Sequence, residues 1–220
     1  SSDDNVLVNA LIGDETAIGY FGYAYYQENL ATLTAAAVKN DAGNMVAPSG
    51  STVADGTYNP LSRPLFMNLL AEDASLANTV PFLKFGLGDG GDLLVNSVGY
   101  VPIPADFQAT MEARLDAATH GGDDAIDVGT VVCGPDGSIS IAGSSTVLPL
   151  AEAWAEYYTE ACEGVTITVE SGGSSSGAGR VCANSAKGTP VDIGDMSRDW
   201  KDTERTIDED GYTMDCLVGD

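Results

Sequence analysis

Ile139-Ser140-Ile141-Ala142-Gly143-Ser144-Ser145-Thr146-Val147-Leu148-Pro149-Leu150 is the stretch whose reading decides the fold. The apolar run Ile139–Ala142 reads as a strand, and helical spacing begins after the Gly-Ser-Ser-Thr turn. Where a strand turns into a helix, the first backbone N–H groups have no partner inside the helix, and here hydroxyls stand beside them. Such a turn suits an anion. A second follows the β-like run Val165–Glu170, at Ser171-Gly172-Gly173-Ser174-Ser175-Ser176-Gly177-Ala178-Gly179. A third, Asp195-Met196-Ser197-Arg198, follows the strand-like Val191–Gly194. One such turn only caps a helix. Three in succession, at the ends of strands that alternate with the helices Leu148–Cys162 and Arg180–Ala186, predict βαβ units in a sheet covered on both faces. Ligands of such sheets lie beyond the carboxyl ends of the strands. Ser144, Ser145, Thr146, Ser176 and Ser197 are therefore the candidate hydroxyl donors, and Arg198 is the one cation beside them.

The composition narrows the partners. Thirty-three Asp and Glu against nine Lys and Arg give 220 residues a net charge of −24, which repels nucleic acid and anionic membranes. No window reaches the apolar length of a membrane span. Ser1-Ser2-Asp3-Asp4 has neither the basic nor the apolar segment of a signal peptide, and the chain reads equally as part of a longer protein. Cys133, Cys162, Cys182 and Cys216 form no C-x-x-C pair and His120 is the single histidine, so the usual zinc spacings are missing. The even count fits two disulfides in an oxidising compartment, with all three pairings open; four buried thiols are the alternative.

In chain order, residues 3–12 read as a helix capped by Ser2 or Asp3 and stopped by Gly13. Ala17–Tyr23 reads as a strand, because its aromatics suit a pleated surface, and Tyr25–Leu33 as a helix. Lys39–Gly43 is a turn, Met45–Pro48 is extended, and Ser49 caps one or two helical turns to Ala54. Pro60–Leu70 is strand-like. Asn78–Leu87 has helical spacing and is ended by Gly88–Asp92; Leu93–Val98 extends another helix, Gly99–Pro104 is extended, and Ala105–Ala118 is an amphipathic helix. Residues 119–138, polar and glycine-rich, read as a linker that contains His120.

Other chemistries lack their residues. There is no Walker A loop, and Gly172–Gly177 misses both its lysine and the Gly-x-Gly-x-x-Gly spacing. Asp208-Glu209-Asp210-Gly211 hints at a calcium loop, but Thr206 and Leu217 occupy its first and twelfth ligand positions. A serine nucleophile would need a base, and a linker histidine is a poor one. Catalytic residues, a cofactor and a metal are not expected.

These residues carry a resemblance. Ile141–Trp154, Ser171–Gly179 and Asp192–Arg198 resemble, in that order, the opening and the second and third phosphate loops of the phosphate-binding proteins of ABC transporters, the PstS family. The resemblance implies an α/β fold, a periplasmic-binding-protein-like (type II) lobe. It implies phosphate contacts from Ser145 and the Thr146 N–H, from Ser176 and Gly177, and from Ser197 with Arg198 nearby. Many members carry an aspartate acceptor where Ser197 stands. Residues 5–12, 17–26 and 58–66, with Val98-Gly99-Tyr100-Val101-Pro102, are similar to the C-terminal part of the family. The family's tail thus precedes its head: 1–118, a linker 119–138, then 139–220, either circularly rearranged or spanning two tandem domains. The Arg-x-x-x-Ser-Gly-Thr loop of the opposing lobe is missing. The expectation is a non-enzymatic, periplasmic or extracellular phosphate-binding protein with a half-site. Its partners would be inorganic phosphate and an ABC transporter permease or neighbouring copies. The alternative is an assembly subunit in which neighbouring chains complete one another.

Overall fold

The computed structural model describes residues 3–70, 76–118, 131–183, 185–207 and 214–216, with 118, 185, 205–207 and 214–216 described in backbone only. The first half is mainly helical. Helix α1 (Asp4–Ile12) is capped by the Asp3 carboxylate, which accepts the Asn5 N–H at 2.9 Å. Helix α2 (Tyr23–Glu28) follows, then a small hairpin of β1 (Val38–Lys39) and β2 (Met45–Val46). Helix α3 (Gly50–Ala54) starts at Ser49 with a reciprocal capping box to Thr52. Strand β3 (Phe66–Asn68) leads to α4 (Leu76–Leu87), α5 (Asp89–Ser97) and α6 (Ala105–Ala118). The second half alternates: β4 (Gly137–Gly143), α7 (Leu148–Ala161), β5 (Val165–Ser171), α8 (Ser174–Val181), a 3-10 turn (Ser185–Lys187) and β6 (Ile193–Met196). Strands β7 (Arg205–Ile207) and β8 (Met214–Cys216) form an antiparallel pair.

The central sheet has the order β3-β6-β4-β5; β4, β5 and β6 are parallel and β3 is antiparallel to β6. Alternation along β4 decides what covers each face. Ile139 and Ile141 enter the main core with Val80, Phe82 and Phe85 of α4 and Leu150, Trp154 and Tyr158 of α7. Ala142 enters a smaller cluster on the other face, with Val181, Cys182 and Val191. Phe82 meets both Trp154 and Tyr158 edge-on, with ring centroids 6.3 and 5.4 Å apart. A Cβ on Gly86 would lie 2.2 Å from the Trp154 ring, so α4 and α7 approach as closely as they do because that residue is glycine.

Several sequence expectations need correction. Residues 17–22 form no strand: among the described residues the segment has no neighbouring strand to bond, and Ile18 is 98% and Tyr20 58% exposed. The helix after it begins at Tyr23 and ends at Glu28. Gly88 does stop α4, but it also caps α5, whose first turn gains Asp89 and Asp92 at the positive end of the helix dipole. Gly137 and Ser138, expected in the linker, pair with Val165 and Thr166 and open β4. Helix α8 starts at Ser174 rather than Arg180, which places the second serine run inside it. The expected linker residues 119–130, His120 among them, lie outside the described residues. A disulfide joins Cys133 to Cys162, tying the approach to β4 to the end of α7. Cys182 is not a free thiol, and the Cys216 side chain lies outside the described residues.

Candidate functional site

The three turns meet because their strands are neighbours in register. Gly143, the last residue of β4, is paired with Ser171 of β5 on one side and Asp195 of β6 on the other. The Gly143 carbonyl accepts both the Gly172 and Gly173 N–H groups, at 2.7 and 2.6 Å, which fixes the second turn to the first. Two glycines permit this closeness. A Cβ on Gly143 (φ +153°) would lie 2.0 Å from the Asp195 carbonyl oxygen, and one on Gly177 would lie 2.4 Å from the same atom.

In the first turn, Ser144 is buried and faces inward. Its N–H donates to the Asp195 carbonyl and carboxylate, and its hydroxyl accepts the Thr146 N–H at 3.2 Å. Ser145 is met from the other end of the chain. Its hydroxyl donates to the buried Asp4 carboxylate at 3.0 Å, and the second Asp4 oxygen accepts the Gly22 N–H at 3.1 Å. Tyr25 donates its hydroxyl to the Ser145 carbonyl at 3.0 Å, and Tyr100 donates to the Thr146 carbonyl. Burial, and then the Asp4 charge beside it, pushes the Tyr25 hydroxyl up to about 12. Burial, followed by Tyr25 and Asp4, also raises Tyr100, so both phenols remain donors. The Ser145 N–H makes no hydrogen bond among the described residues.

The second and third turns interlock through side chains. The Ser197 N–H donates to the Ser174 hydroxyl at 3.1 Å, and the two hydroxyls lie 3.4 Å apart. Arg198 donates to the Ser175 hydroxyl at 2.9 Å and grips both Glu204 oxygens, at 2.7 and 2.8 Å. Burial alone would raise Glu204, but the Arg198 hydrogen bonds, the Lys201 N–H and the two cations override it and hold the carboxyl at about 2. The guanidinium charge is thus matched within the protein, and Arg198 acts as a brace between the second turn and the segment after β6. Ser176 and Gly177 both donate their N–H groups to the Gly173 carbonyl. The donors with no intrahelical acceptor at this turn are the first N–H groups of α8, those of Ser174 and Ser175.

Sequence reasoning thus identified the three turns but missed Asp4, Tyr25, Tyr100 and Glu204 around them, and Ser174 and Ser175 within one. Only the early start of α8 had a local signal, the glycine pair before Ser174. A groove of about 1130 Å³ reaches the site at Thr146 and Ser197, and is otherwise bordered by largely apolar groups such as Phe66, Leu69 and Trp200. Among the described residues no His, Cys, Asp or Glu cluster is arranged to hold a metal ion, and no helix is long and apolar enough to cross a membrane.

Comparison with known proteins agrees with this fold. Residues 128–215 match the PBP superfamily domain. The chain is 45% identical over 115 residues to protein SphX of Synechococcus elongatus, covering 52% of this chain and 34% of that protein. It is 34% identical over 119 residues to the phosphate-binding protein PstS of Staphylococcus saprophyticus, covering 53% of this chain and 36% of that one. The solved phosphate-binding protein of a phosphate ABC transporter from Streptococcus pneumoniae TIGR4 superposes with a TM-score of 0.56 at 25% identity, over 91% of this chain and 64% of that one. The chain therefore spans about a third of the length of these curated relatives. Its likeness to protein SphX and to the phosphate-binding protein PstS, and its α/β periplasmic-binding-protein-like fold, are both borne out.

Proposed function

From this kinship with phosphate-binding proteins, we propose that the chain binds inorganic phosphate as part of an extracytoplasmic solute-binding protein that delivers it to an ABC transporter. The observation that carries the reading is the in-register meeting of Gly143, Ser171 and Asp195. It brings three serine-bearing turns and the starts of α7 and α8 to one end of the sheet. Phosphate oxygens are received there by the Ser145, Ser174 and Ser175 N–H groups, by the hydroxyls of Ser176 and Ser197, and by that of Ser145 once it turns from Asp4 to the anion, with Thr146 at the groove's edge. Ser144 and Gly177 shape the turns, and Arg198 braces them while lending part of its charge. Helix N-termini supply the attraction that a bare cation would otherwise provide. The net charge of −24 does not oppose this at contact range, because salt screens distant charges within about 8 Å.

The Cys133–Cys162 disulfide supports an oxidising, periplasmic or extracellular setting. The order in which 1–118 corresponds to the family's tail and 139–220 to its head, about the linker 119–138, belongs to the same proposal. Equilibrium dialysis with labelled phosphate tests it. Saturable retention that Ser145→Ala and Ser197→Ala each weaken is expected; retention indifferent to both substitutions contradicts it.

A further inference from the structure

The Asp195 carboxyl lies directly behind the first turn and does not touch solvent: the residue is 1% exposed. One of its oxygens accepts the Ser144 N–H, while the other is buried with no hydrogen-bond partner. We propose that Asp195 is a positioning residue that ties anion binding at the Gly143–Thr146 turn to the uptake of one proton. The inference rests on the phosphate reading above and adds to it a residue that holds the turn from behind.

The geometry carries the argument. By engaging the Ser144 N–H, Asp195 sets the peptide from which the next two N–H groups of the turn are presented. A charged carboxylate there is half-satisfied, and a buried charge without full hydrogen bonding is costly. Among the described residues, the elements packed against β6 offer it no cation. Strands β3 and β4 carry no charged residue, and Arg180 of α8 is committed to Glu170 and the Thr189 carbonyl. Arg198 is bound to Glu204, Asp192 accepts from Ser140, and Asp4 accepts from Ser145 and Gly22. Burial consequently pushes the Asp195 carboxyl up to about 7, with the Ser144 N–H opposing. An anion received by the turn stands on the order of two residue spacings, about 7 Å, from this carboxyl. Two like charges that close in a dry site shift a proton equilibrium by on the order of tenfold. The anion therefore favours protonated Asp195, and by reciprocity protonation favours the anion. Affinity falls as pH rises through about 7, over and above the ligand's own titration.

The test compares the protein with Asp195→Asn, which keeps an acceptor for the Ser144 N–H but cannot ionise. Phosphate is titrated calorimetrically from pH 5.5 to 8.5 in buffers of different ionisation enthalpy. The affinity of the unsubstituted protein should fall on the order of tenfold more steeply across this range than that of the variant. Near pH 7.5 it should also take up about half an additional proton per phosphate bound. Identical slopes and proton counts overturn this inference alone, and absence of binding by the unsubstituted protein overturns the phosphate reading with it. Should the variant not fold, the Asp195 carboxyl carbon is followed by NMR against pH in the unsubstituted protein. A titration midpoint raised by phosphate supports the proposal, and an unmoved one overturns it.

Discussion

The end of the sheet at Gly143 and the segment 17–22 carry similar local signals, glycines set among residues suited to strands, yet they fold differently. Strand β4 has a parallel neighbour on each side, paired along its whole length with β5 and over Ile141–Gly143 with β6. The segment 17–22 has no strand beside it among the described residues. It is held instead by side chains, through the bond from the Gly22 N–H to Asp4 and the donation from Arg63 to the Tyr20 hydroxyl. The difference teaches that a strand-like sequence becomes a strand only where another backbone completes it.

Glycine substitutions test that contrast most severely. Gly143→Ala sets a Cβ 2.0 Å from a backbone oxygen at φ +153°, and should destabilise by about 3 kcal/mol or more or prevent folding. Gly19→Ala meets only the end of the Leu11 side chain, at 2.5 Å, and should cost under about 1 kcal/mol. Urea denaturation followed by circular dichroism gives both values, and equal costs would break the comparison.

Next in size is the pH dependence set by Asp195. A carboxyl that ionises near 3.8 when unfolded and near 7 when folded favours the fold below about 4. Stability should decline as pH rises from about 4 to 7 and then level off, by on the order of a few kcal/mol in all. Asp195→Asn should remove this decline, as denaturation midpoints across pH would reveal. Glu204, held at about 2, works in the opposite direction: its share is lost as pH falls from about 4.5 through 2, and Glu204→Gln should remove that loss.

Smaller effects belong to the contacts joining the N-terminal segment to the first turn. Asp4→Ala removes acceptors from the Ser145 hydroxyl and the Gly22 N–H and should cost about 1–3 kcal/mol. Tyr25→Phe removes one hydrogen bond, to the Ser145 carbonyl, and should cost about 1 kcal/mol. Thermal melts order the pair. Should Tyr25→Phe prove the costlier, the link runs through the phenol rather than the carboxylate.

What was legible in the sequence follows the same division. The βαβ half could be read because periodicity, glycine turns and helix starts are local, and the third turn was found although β6 runs through Asp195 and Met196. The Ser49 cap, and a first-helix cap at Ser2 or Asp3, were legible for the same reason. Asp4 against Ser145 spans 141 positions, and Tyr25 against the same residue spans 120. No periodicity encodes such a meeting. Ser144 and Arg198, a hydroxyl and a guanidinium beside an anion turn, read as ligand groups; their partners within the fold, the Thr146 N–H and Glu204, were not legible.

The proposal to be tested is that the three turns form one anion site. Calorimetric titration of phosphate into the protein and into Ser145→Ala/Ser197→Ala tests it most directly. Saturable binding of one phosphate per chain is predicted, weakened on the order of a hundredfold or more by the paired substitution, since each hydrogen bond to a charged group is worth about 1.5–3 kcal/mol. Phosphate heats no larger than dilution, or an affinity unchanged in the double variant, would contradict it.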